Sequence, residues 1–408
     1  MNPRSIEFAL FGGWLAFMVV VIVSVFVFAL DQEPAPTPYV RATPPPPEPT
    51  PTAGPRIGPS AADLRSRGLG ILPPVTMPDD NPMTSEKAEL GKILFFDRRL
   101  SGDGFVACST CHLPNAGWGD GNALSLGYPG TLHWRNSQTI INTGYQAKLF
   151  WGGEKTSLEA QAKSAWTGNI AGNLDPIMAE ETLRQIPDYV QRFQEVFGTE
   201  SPKFDDALRA LAAFEATVNS RNVPFDNYLR GNQEAMSDAA LRGAELFVGK
   251  ARCIVCHGGT LLTDQSYHNT GVPQNPAFES DPLRQITLRF QHRARGVTEE
   301  VYRSADRDLG LYYTTKQDSD RGKFRTPPLR EVGQTGPYMH NGVFETLTEV
   351  VDFYNDGGGQ NPNLDPLVRP LGLTSDEIAD VVAFLHSVTG DPIIIQPPDM
   401  PEYAVMGP

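Results

Sequence analysis

All four cysteines of this 408-residue chain fall in two copies of one pentad, Cys108-Ser109-Thr110-Cys111-His112 and Cys253-Ile254-Val255-Cys256-His257. Cys-x-x-Cys-His is the attachment pattern for c-type haem, in which two thiols bond to the porphyrin and the adjacent imidazole ligates the iron. A zinc site also uses cysteine pairs, but it has no need for a histidine directly after each pair. Two short disulfides would likewise leave both histidines without a purpose. The pattern predicts two covalently bound haem c groups, held by Cys108, Cys111, Cys253 and Cys256, with His112 and His257 on the irons. A chain that must enclose two such groups has few architectures open to it.

Residues 6–30 are apolar apart from Glu7 and Ser24. At about 1.5 Å per residue a helix of that length spans a bilayer. A cleavable signal peptide has a shorter apolar core and an Ala-x-Ala site, which does not follow here. Residues 1–31 therefore read as an uncleaved transmembrane anchor. Arg4 precedes it while Asp31 and Glu33 follow, so the positive-inside rule places the body on the extracytoplasmic, periplasmic face. Residues 32–60 are rich in proline, unbroken from Pro44 to Pro47, and read as a semi-rigid stalk. The net charge of −14 suits solubility and the steering of a basic partner. Lys and Arg are scattered, which argues against nucleic-acid binding.

The rest is expected to be mainly α, with long loops and few short strands. Helical spacing runs over residues 84–98 and 203–219. A third helix starts near Ser237 and leads into the second pentad. A last one opens on a capping box, Thr374 to Glu377, and buries Ile378, Val381, Val382 and Leu385. Helix, pentad, loops and a closing helix make a cytochrome c-like domain. The expected division is an N-terminal haem domain over 61–230, a C-terminal one over 231–395 and a tail over 396–408, with the boundary near 225–236. Residues 113–150 and 258–345 read as long loops wrapped around the haems.

From about 80 to 390 the chain resembles the bacterial di-haem cytochrome c peroxidases and their relative MauG. The resemblance rests on Leu94-Phe95-Phe96-Asp97 before the first pentad, Arg135-Asn136-Ser137-Gln138-Thr139, Phe150-Trp151-Gly152-Gly153 and Ser157-Leu158-Glu159-Ala160-Gln161-Ala162. In the second half it rests on Phe324-Arg325-Thr326-Pro327-Pro328-Leu329-Arg330, Thr335-Gly336-Pro337-Tyr338-Met339-His340-Asn341-Gly342 and Val350-Val351-Asp352-Phe353-Tyr354.

The resemblance implies peroxide chemistry at the first haem and electron entry at the second. Gln161 matches a distal-pocket glutamine. The family's distal glutamate sits in Asn-Pro-x-Glu-Met, where this chain reads Asn173-Leu174-Asp175-Pro176-Ile177-Met178, so Asp175 is the nearest carboxylate. The histidine that closes the first haem in many relatives is replaced by Tyr128, with His133 nearby. Tyr354 matches the position of the second haem's sixth ligand, with Met339 as the alternative. Trp151 matches a relay between the haems. Asn136, Thr335 and Pro337 match the ligands of a calcium ion. The expected activity is reduction of hydrogen peroxide to water, with a small cytochrome c or copper protein as donor and a homodimer as the common assembly. The alternatives are a MauG-like oxidase of a partner protein and a non-catalytic, membrane-tethered electron carrier.

Overall fold

A computed structural model describes residues 58–404. The anchor expected at 6–30 and nearly all of the stalk lie outside them. Among the described residues no helix is long and apolar enough to cross a membrane. The fold is mainly helical. Its principal helices are α1 (Ala61–Ser66), α2 (Ser85–Phe96), α3 (Leu158–Trp166), α4 (Pro176–Arg184), α5 (Pro187–Phe197) and α6 (Phe204–Glu215). They continue as α7 (Pro224–Leu229), α8 (Asp238–Val248), α9 (Pro282–Ala294), α10 (Leu347–Asn355) and α11 (Ser375–Ser387). Two short strands, β1 (Tyr267–His268) and β2 (Phe324–Arg325), pair antiparallel.

Local chemistry sets the helix starts. Thr84 accepts from the Lys87 amide at 3.2 Å, and Ser157 from the Ala160 amide at 3.1 Å. Thr374 and Glu377 form the reciprocal box the sequence announces. Each of these caps satisfies amides that have no partner inside the helix.

Most of the helices gather into two main cores built on one plan. In the first, α2 crosses α6 and buries Leu90, Leu94, Phe95, Leu211 and Phe214; in the second, α8 crosses α11 and buries Leu241, Ala244, Phe247, Val381 and Phe384. A glycine lies at the centre of each crossing. A Cβ on Gly91 would sit 1.8 Å from the Ala210 carbonyl oxygen, and one on Gly243 would sit 1.8 Å from that of Asp380. Glycine costs a helix about 1 kcal/mol relative to alanine, and here that cost is offset by the close approach it allows. Four residues on, Phe95 meets Phe214 at 5.1 Å between ring centroids, and Phe247 meets Phe384 at 4.9 Å. The superposable pairs are Gly91 with Gly243, Phe95 with Phe247, and Phe214 with Phe384. The next residues, Glu215 and Leu385, therefore hold equivalent places.

The cores do not follow the linear division expected of the chain. Leu64 on α1 and Leu69 belong to the second core, as do Val223, Phe225 and Leu229, whereas the first core ends at Val218 and takes in Ile393. The C-terminal segment is not a plain tail. Trp118 donates to the Ile393 carbonyl at 2.7 Å, Arg99 to that of Pro401 at 2.7 Å, and the Ala404 amide to that of Gln185 at 3.0 Å. Each end of the described segment thus straps the half opposite to it in sequence. A second correction concerns residues 258–345, which hold α9 and several shorter helices. The signal was present in Asp281-Pro282: an N-cap that accepts from the Leu283 amide at 2.9 Å, then proline at the first helical position.

Candidate active site between the two pentads

One cavity of about 880 Å³ reaches both pentads. Its wall includes Cys108, Cys111 and His112 from the first, and Cys253, Cys256 and His257 from the second. None of the four thiols is in a disulfide. His112 donates from Nδ1 to the Trp118 carbonyl at 3.0 Å, and His257 from Nδ1 to the Leu262 carbonyl at 3.1 Å. Those bonds fix the tautomer and leave each Nε2 lone pair free to ligate. Burial lowers both imidazole pKa values, that of His257 to about 4, so both rings are neutral, as ligation requires. Free thiols, an oriented neutral imidazole beside each pair and a cavity reaching both meet the requirements of two haem c groups.

The cavity wall also brings together most of the other residues singled out from the sequence. Gln161, on α3, lines it, as do Trp151, Tyr354, Met339, Asn136, Thr335 and Pro337. Trp151 donates to the Asn136 carbonyl at 2.9 Å and meets His340 edge to face at 6.4 Å. The Asn136 amide donates in turn to the His340 carbonyl at 2.8 Å, and His340 stacks on Phe324 at 3.7 Å. Trp151 therefore stands where the two halves meet. Burial pushes the Tyr354 phenol up to about 12. The donors expected for calcium are neutral, and Asn136 already gives its side-chain amide to the Asn122 carbonyl at 2.8 Å.

Asp175 is a correction. Its carboxylate caps α4, accepting from the amides of Ile177 at 2.9 Å and Met178 at 3.0 Å, and it takes no part in the cavity wall. A short acid directly before a proline is a good N-cap, and here the helix start claims it. His133 lines the cavity, but its Nε2 bonds to the Ile170 carbonyl at 3.0 Å.

Three features were missed. The first is Glu215, buried in the wall near Cys108. No local pattern marks it, because it ends an apolar helix whose cavity-facing side the sequence does not announce. The second is the brace formed by α9. Arg284 donates to the carbonyls of His133 and Ser125, Gln291 to the Asn169 side chain at 2.8 Å, and Leu288 packs with Leu124 and Trp134. Both segments that it holds border the first pentad's part of the cavity. The third is His268, set between Asp365 at 2.7 Å and Asp264 at 3.1 Å. A hydrogen bond with Cys256, then those with Asp365 and Asp264, raise its pKa to about 10 against the opposing effect of burial. Cys256, Asp264 and His268 have metal-binding proximity, but that sulfur already belongs to the pentad.

Comparison with known proteins agrees with this geometry. Residues 85–234 match the family model described as di-haem cytochrome c peroxidase. The chain is 54% identical over 345 residues to the cytochrome-c peroxidase IdrP1 of Denitromonas iodatirespirans, covering 84% of this chain and 92% of that protein. It belongs to the di-haem cytochrome c peroxidase family. Within the family it is also 34% identical to the methylamine utilization protein MauG of Methylorubrum extorquens, over 80% of this chain and 85% of that one. A solved MauG-like protein associated with microbial copper homeostasis shares the fold, with a TM-score of 0.68 and 31% identity over 80% of this chain and 95% of that one. Membership implies two haem c groups and a peroxidase-type oxidoreductase.

Proposed function

We propose that this peroxidase reduces hydrogen peroxide to water beside the first pentad, using electrons delivered singly by a small cytochrome c or copper protein at the second. The observation that carries the reading is the shared cavity, which has His112 at one end, His257 at the other and Trp151 at the meeting of the halves. Bound haem would supply an iron that accepts peroxide and a second that stores an electron. The protein supplies position and protons. The balance is H₂O₂ + 2 H⁺ + 2 e⁻ → 2 H₂O. Gln161 offers an amide that can hold peroxide in place, and Trp151 bridges the interval the electrons cross.

Tyr354 is our choice for the second haem's sixth ligand. Its place in the cavity wall, with its phenol close enough to feel Cys253 and Cys256 of the second pentad, supports that choice over Met339. The same residue favours a second reading, a MauG-like oxidation of a partner protein. A non-catalytic carrier has less support, because the named relatives include peroxidases. We further propose a calcium ion on Asn136, Thr335 and Pro337, attachment to the membrane through residues 6–30, and a body on the periplasmic face.

The deciding experiment mixes the haem-loaded full chain, in detergent, with one equivalent of peroxide in the oxidised and half-reduced states. Rapid optical change followed by turnover with a reduced cytochrome supports the peroxidase. Change without donor turnover favours the oxidase. No change in either state would defeat both.

A further inference from the structure

A peroxide reduction consumes two protons in a cavity whose expected distal acid, Asp175, is committed to capping a helix. Some other group must bring protons to the first pentad. Building on the peroxidase reading, we propose that Glu215 is the proton-donating residue of that half of the cavity and that Glu159 passes protons to it from outside.

Four observations carry this. Glu215 is 5% exposed and lines the cavity, and among the described residues no protein donor reaches its carboxyl group. Its side chain therefore offers its oxygens to the cavity alone. Second, burial, reinforced by the charge of Glu159, raises its pKa to about 8, so at neutral pH it holds a proton to give. Third, its charged and titratable neighbours are few. Glu159 faces it from α3 and Cys108 from the pentad, while α2 brings Gly91 and Phe95 to this stretch of α6. Among the described residues no cation acts to hold it ionised. Glu159 itself is outside the cavity wall and accepts from Asn81 at 2.8 Å; Asn81 accepts in turn from Lys87 at 2.9 Å. A polar path thus approaches Glu215 from behind.

The fourth observation is internal to the molecule. The equivalent place at the second helix crossing is occupied by Leu385, which also lines the cavity. The crossing is therefore built equally well with a hydrocarbon there, and a buried acid costs stability that leucine would not. At this pair of equivalent positions the carboxyl stands beside the haem that would consume protons, and the hydrocarbon stands in the other half.

In each turnover Glu215 would give its proton toward the departing peroxide oxygen and be reprotonated through Glu159. Both electrons come from the donor protein, so the carboxyl cycles without net change. The test compares wild type, Glu215→Gln and Glu159→Gln, each haem-loaded. Wild type should show the infrared carbonyl band of a protonated carboxylic acid, disappearing as pH rises through about 8. Glu215→Gln should lose that band, retain both haems and lower kcat about 10²-fold, with KM for the donor little changed. Glu159→Gln should keep the band but move its titration to lower pH, because a neighbouring negative charge is gone. A band that survives in Glu215→Gln, or a kcat within twofold of wild type, would overturn the assignment. So would failure of Glu215→Gln to hold the first haem, which would make the acid structural. Wild type inert to peroxide would defeat the peroxidase reading with it, whereas turnover retained in Glu215→Gln would defeat this inference alone.

Discussion

The two halves solve the same packing problem and then diverge. Each crosses two helices over a glycine, stacks a phenylalanine pair four residues later and aims a neutral histidine into the cavity. They differ in what surrounds that frame. The first half places Glu215 in the wall and has its loops held by α9; the second places Leu385 there and sets His268 between two acids. What is repeated is what a haem pocket requires of the backbone. What is not repeated is where the proposed chemistry would have the two sites differ in proton supply, charge and access.

The repeated part can be broken most severely. Gly91→Ala and Gly243→Ala each force a methyl group to 1.8 Å from a carbonyl oxygen, so the helices must part. Overpacking of that kind costs about 3 kcal/mol. Denaturant midpoints should fall by similar amounts in both variants, with the optical spectrum of the haem on the altered half changing first in each. A loss under about 1 kcal/mol in either would mean that the crossing has slack that the static structure hides.

A change in the unrepeated part should leave the fold intact. Gln161→Ala is expected to lower peroxide turnover about 10²-fold, equivalent to roughly 2.7 kcal/mol of barrier, with both haems retained. Unchanged turnover would remove Gln161 from the mechanism and shift attention to the His133 loop.

The Glu215 and Leu385 pair makes a prediction about stability and pH. Folding raises the Glu215 pKa from 4.5 to about 8, so in that window the folded protein holds a proton that the unfolded chain releases. Its contribution is full below the unfolded pKa and is lost as pH rises through the folded one. The slope is at most about 1.4 kcal/mol per pH unit. Glu215→Leu copies the second half onto the first and should flatten this dependence, leaving the variant more stable than wild type at pH 9. Parallel stability curves for the two proteins would show that Glu215 does not titrate as described.

Much of the common frame was legible in the sequence. The pentads are local in sequence, the capping box of α11 needs only Thr374 and Glu377, and α2 and α6 show their apolar spacing directly. Asp175 misled because its sequence context resembles a catalytic segment, while an acid before proline also satisfies the simpler demand of a helix start. Glu215 was hidden inside an apolar helix, where its meaning depends on which face turns to the cavity. The straps at 58–71 and 393–404 depend on contacts between residues far apart in the chain, which no local pattern records. Helix α9 failed for another reason. It exposes Leu283, Ile286 and Phe290 while burying Gln291 and His292, so its polarity runs against the usual sense of an amphipathic helix.

That helix supplies the smallest and most local test of the comparison. Arg284 ties the loop of Ser125 and His133 to α9, whereas packing of Leu124 and Trp134 holds it independently. Arg284→Ala should therefore loosen the loop without releasing it, at a cost of about 1 kcal/mol for the lost bonds. Amide hydrogen exchange across residues 124–135 should accelerate about fivefold, with residues 262–272 beside the second pentad unchanged. Equal acceleration in both regions would mean that α9 stabilises the molecule globally. No acceleration would mean that the apolar contacts suffice, and that the first cavity owes its shape to packing instead of to this arginine.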